Sequence, residues 1–221
     1  MISEKIDFLV NMSDEEWGKY AFSRDPLNTK ISHELRQEMI KKANVCGKEQ
    51  ALRIKKIYPG LSAKEIAQKM NLNIIYKDTN GSDEYIMFAS YNSPDKVTLF
   101  MGNVTLVEKF IEENQLEDKL GNVDIESMLI LHEIFHHIEE NEKDIYTRTE
   151  SIVLWKIGSF KYKSKLLALG EIAAMAFAKE LLALSYNPYV FDTLMLYPHD
   201  EDKTDKLFNE IKEFKGGIIN E

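Results

Sequence analysis

His132, Glu133 and His136 form the pattern His-Glu-x-x-His within the stretch DIESMLILHEIFHHIEE, Asp124 to Glu140. On a helical period, residues four apart lie one turn apart on one face, so both imidazoles can reach a single ion while Glu133 stands beside them. Two neutral imidazoles leave Zn2+ short of its usual four ligands. A third protein ligand must come from elsewhere, and the fourth position is left for water. The pKa of a metal-bound water falls toward neutrality, and Glu133 can take its proton as general base and pass it on to a leaving amine. The chemistry implied is metal-assisted hydrolysis, although a His2Glu set also accepts Mn2+ or another divalent ion.

Candidates for the third ligand are Glu139, Glu140, Glu142, Asp144, Glu150, Glu171 and His199. A three-histidine version of the motif would need a glycine at position 139 and a histidine at position 142, and the chain has glutamate at both. Glu139 and Glu140 follow too closely on the same helix to swing back onto the ion, and with Glu142 and Asp144 they read as a solvated helix end. Glu171 lies in LLALGEIAAMAFAKELLAL, a run so apolar and alanine-rich that it predicts a buried helix closely packed on another. A carboxylate there is costly unless paired or bound to a cation, which favours Glu171 over Glu150.

HEIFHH followed by EIAAMAFAKELL resembles the ImmA/IrrE family of zinc peptidases, whose pattern is HExGH followed by ExxANxFAxxLLMP. The resemblance covers those two helices and extends weakly over Leu61 to Gly102. It implies His132, His136 and Glu171 as ligands of one Zn2+ per chain, Glu133 as base, and a protein or peptide substrate such as a transcriptional regulator. Three positions depart from the family pattern. Phe135 replaces the glycine before the second histidine, Met175 replaces the asparagine one turn after the ligand glutamate, and LLALSYNP lacks the closing Met-Pro. A polar side chain at 175 is well placed to hold a ligand imidazole, and loss of such a partner typically costs about 10- to 100-fold in metal affinity or activity.

The metal helix is expected from an N-cap at Asp124 to about Asn141, with Met128, Leu131, Phe135 and Ile138 as its apolar stripe. Residues 1–60 read as helices over Glu4 to Tyr20, Ser32 to Asn44 and Lys48 to Tyr58, broken by Asp25-Pro26, Gly47 and Pro59-Gly60. His33 has no spaced partner and reads as solvated. LSAKEIAQKMNL opens with a Ser62/Glu65 capping box. It resembles the first helix of a helix-turn-helix, but strand residues follow where a recognition helix would be needed. Ile74 to Lys77, Tyr85 to Tyr91 and Val97 to Met101 should form an antiparallel sheet, with DTNGSDE as one turn, Ser93-Pro94-Asp95 as another, and Val97 to Met101 as the substrate-pairing edge. Asn103 should cap a helix to about Asn114.

Asp144 to Lys165 reads as an aromatic-rich insert packed over the site, with Lys156, Lys161, Lys163 and Lys165 as a solvated face or a contact for an acidic substrate segment. Tyr146, Arg148 and His199 are candidates for transition-state or substrate contacts. Asn187-Pro188 opens a further helix, Pro198 stops it, and Lys203 to Lys215 forms the last. Together these elements predict an α+β fold: a mainly helical zincin-like domain with a small antiparallel β-sheet beside the metal helix. Residues 1–60 form a helical segment, 61–186 the peptidase core and 187–221 the C-terminal helices, all in one compact unit.

The 221 residues suffice for one good core. A net charge of −9 disfavours a phosphate-binding surface, so no direct nucleic-acid partner is expected. The single Cys46 fits a reducing compartment, no signal peptide is evident, and the longest apolar run is interrupted by charges. The expectation is a cytoplasmic protein with no membrane partner.

Overall fold

The computed structural model describes residues 2–78, 81–82 and 85–216. Helices α1 (Ile2–Val10), α2 (Asp14–Ser23), α3 (His33–Ile57) and α4 (Ala63–Lys69) precede strands β1 (Asn73–Lys77), β2 (Gly81–Ser82), β3 (Tyr85–Ile86), β4 (Ala89–Asn92) and β5 (Lys96–Phe100). Then come α5 (Met101–Glu113), α6 (Glu117–Leu120), α7 (Ile125–Asn141), α8 (Tyr146–Thr149), β6 (Ile152–Ile157), β7 (Phe160–Ser164), α9 (Leu167–Leu182), α10 (Val190–Leu196) and α11 (Glu201–Lys212). At 61% helix the fold is α+β, with small sheets set against a helical body.

Local chemistry decides several boundaries. The expected helix from 4 to 20 is split at Ser13, whose hydroxyl accepts from the Glu16 N–H at 3.2 Å while its own N–H donates to the Glu16 carboxylate at 2.7 Å. That capping box starts α2 afresh. The break expected at Gly47 does not occur, and α3 runs unbroken through it. Gly47 serves close approach instead: a Cβ there would lie 2.1 Å from the Ala173 carbonyl oxygen, so α3 and the alanine-rich α9 meet nearly backbone to backbone. The Ser62/Glu65 box forms at the start of α4, with bonds of 2.8 and 3.3 Å. The chain then enters β1, and no second helix follows α4 directly.

The main sheet has the order β1-β5-β4. It is mixed, which corrects the antiparallel expectation: β1 runs parallel to β5 with Ile74 opposite Val97, whereas β4 is antiparallel to β5 with Tyr91 opposite Val97. β5 is therefore central, and the edge beside the helix that carries His132 and His136 is β4, not Val97 to Met101. The reason is burial. Val97, Thr98, Leu99 and Phe100 are all buried, a continuous run that suits a strand covered on both faces, whereas Ala89, Ser90 and Tyr91 are half-buried and Asn92 is exposed. Of the turn expected at 78–84, positions 79, 80, 83 and 84 lie outside the described residues.

Helix α7 is buried nearly all round, by Leu129, Ile130 and Ile134 as well as the expected stripe. It packs on α9, where the rings of Phe135 and Phe177 sit 5.7 Å apart. The residues expected as a cover over the site instead form the hairpin β6–β7, with Trp155 and Tyr162 exposed. Asn187 and Asp200 start the last two helical segments by accepting from the Tyr189 and Lys203 N–H groups at 3.1 and 2.9 Å. The buried apolar side chains connect from Ile6 to Ile211, so all three segments share one core. Among the described residues no helix is long and apolar enough to cross a membrane.

Candidate metal centre

Asp124 caps α7 by accepting from the Ser127 N–H at 2.9 Å, and this sets the phase in which His132 and His136 emerge on one face. Their Nε2 atoms are 3.0 Å apart. Glu171 projects from α9 toward both, with Oε2 3.3 Å from His132 Nε2 and Oε1 3.5 Å from His136 Nε2. The tight α7/α9 packing fixes this convergence. Among the described residues these three form the one group of at least three histidine, cysteine or acidic side chains that could hold a metal ion, with all donor atoms within 4.8 Å of one another.

The donor set fits zinc. Ligand bonds of about 2.0–2.1 Å in a tetrahedron place neighbouring donors about 3.3–3.4 Å apart; the two Nε2 atoms are 3.0 Å apart, one Glu171 oxygen is 3.3 Å from His132 and the other 3.5 Å from His136. The donor set, two imidazoles and one carboxylate with a corner left over, is that of a hydrolytic site rather than a closed structural one. Comparison with family models, curated proteins and solved structures gives no match. The chemistry of this site is therefore argued from its geometry.

Without an ion, a proton can bridge this group. Burial disfavours the charged His132 ring, but its bond to Glu171 and that carboxylate's charge outweigh burial and raise it to about 9. Burial pushes Glu171 up, and the bond from His132 with the charges of both imidazoles brings it down to about 2. His132 is raised above 6.5, so its contribution to stability is complete below that pH and is lost as pH rises through about 9. Glu171 is lowered from 4.5, so its contribution is complete above that pH and is lost as pH falls toward 2. The metal-free protein should thus be most stable between about pH 4.5 and 6.5, and zinc, which needs deprotonated imidazoles, should stabilise it increasingly above that window. Unfolding midpoints with and without zinc across pH test this, and a metal-free form that gains stability up to pH about 9 would contradict it.

Two depressions meet at Glu171. One, of about 430 Å3, is lined by Phe88, His132, Glu133, Met175 and Asp192. The other, of about 350 Å3, is lined by Tyr91, His136, Glu139, Arg148 and Leu167. Glu133 is 7% exposed and opens on the first. Met175 brings a thioether to the same wall.

Glu139 is not part of a solvated helix end. Its Oε2 lies 3.3 Å from His136 Nδ1, the ring nitrogen that faces away from the donor triangle. Burial raises its carboxyl, and hydrogen bonds from His136 and Thr147 outweigh that and lower it. The i, i+3 spacing carries this signal, because it puts both side chains on one face. Gly170 makes room: a Cβ there would sit 3.0 Å from both Glu139 carboxylate oxygens. Glu139 thus gives His136 from α7 itself the kind of support that position 175 lacks. Glu139→Ala should lower zinc affinity by about 10- to 100-fold, measured by competition with a chromophoric chelator, and unchanged affinity would refute the role.

The three outer candidates separate. Arg148 lines the His136 side and donates to the Glu139 carbonyl at 3.3 Å and to the Glu140 carbonyl, closing the C-terminal end of α7. Tyr146 is not brought to the metal group. It lines another depression with Lys42 and Cys46, because residues two apart on the single turn α8 point to opposite sides. His199 stands one layer back, its ring 6.4 Å from that of Phe88. Glu150 donates no atom to the group, and its carboxylate accepts from the Ser151 N–H at 3.1 Å. Asp192 was not foreseen: it accepts from the Tyr20 hydroxyl at 3.0 Å, and burial pushes its carboxyl up to about 6. Nothing in the spacing of α10 marks which of its faces meets the cleft.

Proposed function

We propose that this chain is a zinc-dependent metallopeptidase of the ImmA/IrrE kind, cleaving peptide bonds of a protein substrate in the cytoplasm. The carrying observation is the convergence of His132, His136 and Glu171 from two packed helices, with Glu133 on the wall of the same cleft. Zinc, when bound, supplies Lewis-acid polarisation of a carbonyl and a water acidic enough to react near neutral pH. Glu133 accepts the proton of the attacking water and returns it to the leaving amine. Glu139 holds the His136 ring so that Nε2 stays free for the metal. Edge strand β4 offers unpaired backbone groups to an extended substrate beside the cleft, the usual geometry of strand addition.

A transcriptional regulator is the substrate class that the family resemblance suggests. A second reading, a peptidase-like protein that acts by docking on a regulator, draws on the apolar Met175 at a wall where a polar group would support the site. New protein amino termini generated by the zinc-loaded wild type, and absent with Glu133→Gln, would support the enzyme. A partner captured equally by both forms, with no cleavage by either, would support docking.

A further inference from the structure

From Ser151 to Gly170 the chain has no acidic residue and four lysines. The net charge is −9 overall and +4 here, which leaves −13 on the rest. This basic stretch is the β6–β7 hairpin and its exit. Cross-strand pairing sets Trp155 opposite Tyr162 and Ile157 opposite Phe160, with Lys156 opposite Lys161 and Val153 opposite Lys163. Side chains alternate across a strand. One face is therefore Trp155, Ile157, Phe160 and Tyr162, and the other presents the lysines.

The apolar face is uncovered: Trp155 is 47%, Ile157 71%, Phe160 62% and Tyr162 47% exposed. The Trp155 and Tyr162 rings stack at 5.2 Å, and the Trp155 and Phe160 rings lie 5.8 Å apart, which gives a rigid aromatic surface at small entropic cost. Contiguous exposed apolar groups of this kind mark interaction sites. Lys156 directly opposite Lys161 is an unfavourable like-charge pair that an acidic ligand would relieve.

We propose that this hairpin is a docking arm that holds an acidic, apolar-rich segment of the protein substrate next to the cleft. The proposal rests on the peptidase reading for the word substrate, while the arm itself rests on the hairpin. Position favours a polypeptide. β7 exits through Lys165 and Leu166 into Leu167, all three of which line the depression shared with His136 and Glu171, so the base of the hairpin borders that group. An anionic bilayer fits less well, because an extended charged surface would meet the rest of the molecule, whose net charge is −13, whereas a short segment meets only the hairpin.

The probe is a short fluorescent peptide alternating Glu and Asp with Leu and Phe, compared with a counterpart carrying Lys for each acid. Anisotropy is read on zinc-loaded Glu133→Gln protein at low and high salt. The acidic peptide should bind at least about tenfold tighter than the basic one, with salt weakening it. Lys161→Glu with Lys163→Glu should reverse the preference. Trp155→Ser with Phe160→Ser should weaken acidic-peptide binding about tenfold while leaving its salt dependence. Zinc content equal to the parent shows that each variant is folded. Acidic-peptide binding unaffected by both double variants would overturn the arm, as would preferential binding to phosphatidylserine vesicles. Binding that depends on the hairpin, with no cleavage by wild type of any peptide tried, keeps the arm and removes the peptidase reading. Cleavage at equal rates by wild type and both double variants does the reverse.

Discussion

Protein purified without chelator should carry close to one zinc per chain, and His132→Ala and Glu171→Ala should each be recovered nearly metal-free. This is the expected result with the largest consequence, because each residue supplies one donor to a group whose ligand atoms all lie within 4.8 Å of one another. Zinc sites made wholly of protein ligands are worth about 10–16 kcal/mol, so one donor accounts for about 3–4 kcal/mol, or about 10²- to 10³-fold in affinity. Elemental analysis after gel filtration reads the stoichiometry, and chelator competition reads the affinity. Glu171→Gln refines the test by keeping the side chain's shape while removing the charge that His132 and the ion compete for. A wild type that is empty as purified, and stays empty after added zinc, would remove the metal site and favour the docking reading.

The convergence of His132, His136 and Glu171 was legible in the sequence because helices translate spacing into direction. A spacing of four residues between histidines is one turn, whereas Glu171 was expected on grounds of burial: its helix is buried, as expected, but the carboxylate itself is exposed on the face turned to the histidines. Glu139 was misread through the same regularity: its closeness along α7 prevents it from reaching the ion, but puts it within reach of the far nitrogen of His136. Gly47 and Gly170 were legible as glycines but not as clearances, since what a glycine admits depends on the neighbouring helix.

The sheet was harder. Composition marked Val97 to Met101 as a strand, yet its place depends on the pairing of β1 with β5, which brings together residues more than twenty apart in the chain. The nearly continuous apolar run Val97, Leu99, Phe100 and Met101, interrupted by Thr98, was the available hint of a central strand. Strand alternation was also present in the Trp155 to Tyr162 segment. The assumption that aromatic residues seek cover obscured it, and they are displayed on a hairpin instead.

Glu133→Gln should keep zinc at the wild-type level and lose cleavage by at least about 10²-fold, the usual range for removing a general base being about 10²–10⁴. The substitution preserves shape and replaces a proton acceptor with an amide that cannot accept a proton at neutral pH. Gln matches Glu in shape, and Glu133 is 7% exposed, so the variant fills the same buried space and should unfold no more easily than wild type. Retained metal together with lost activity separates the proton-transfer role from ligation, which His132→Ala cannot do. Substrate should bind the variant with little change in affinity, since the loss lies in a step made only on the way to the transition state. Cleavage at the wild-type rate by Glu133→Gln would mean that another group takes the proton. Asp192, on the same wall and with its carboxyl pushed up to about 6, would then be the residue to replace next.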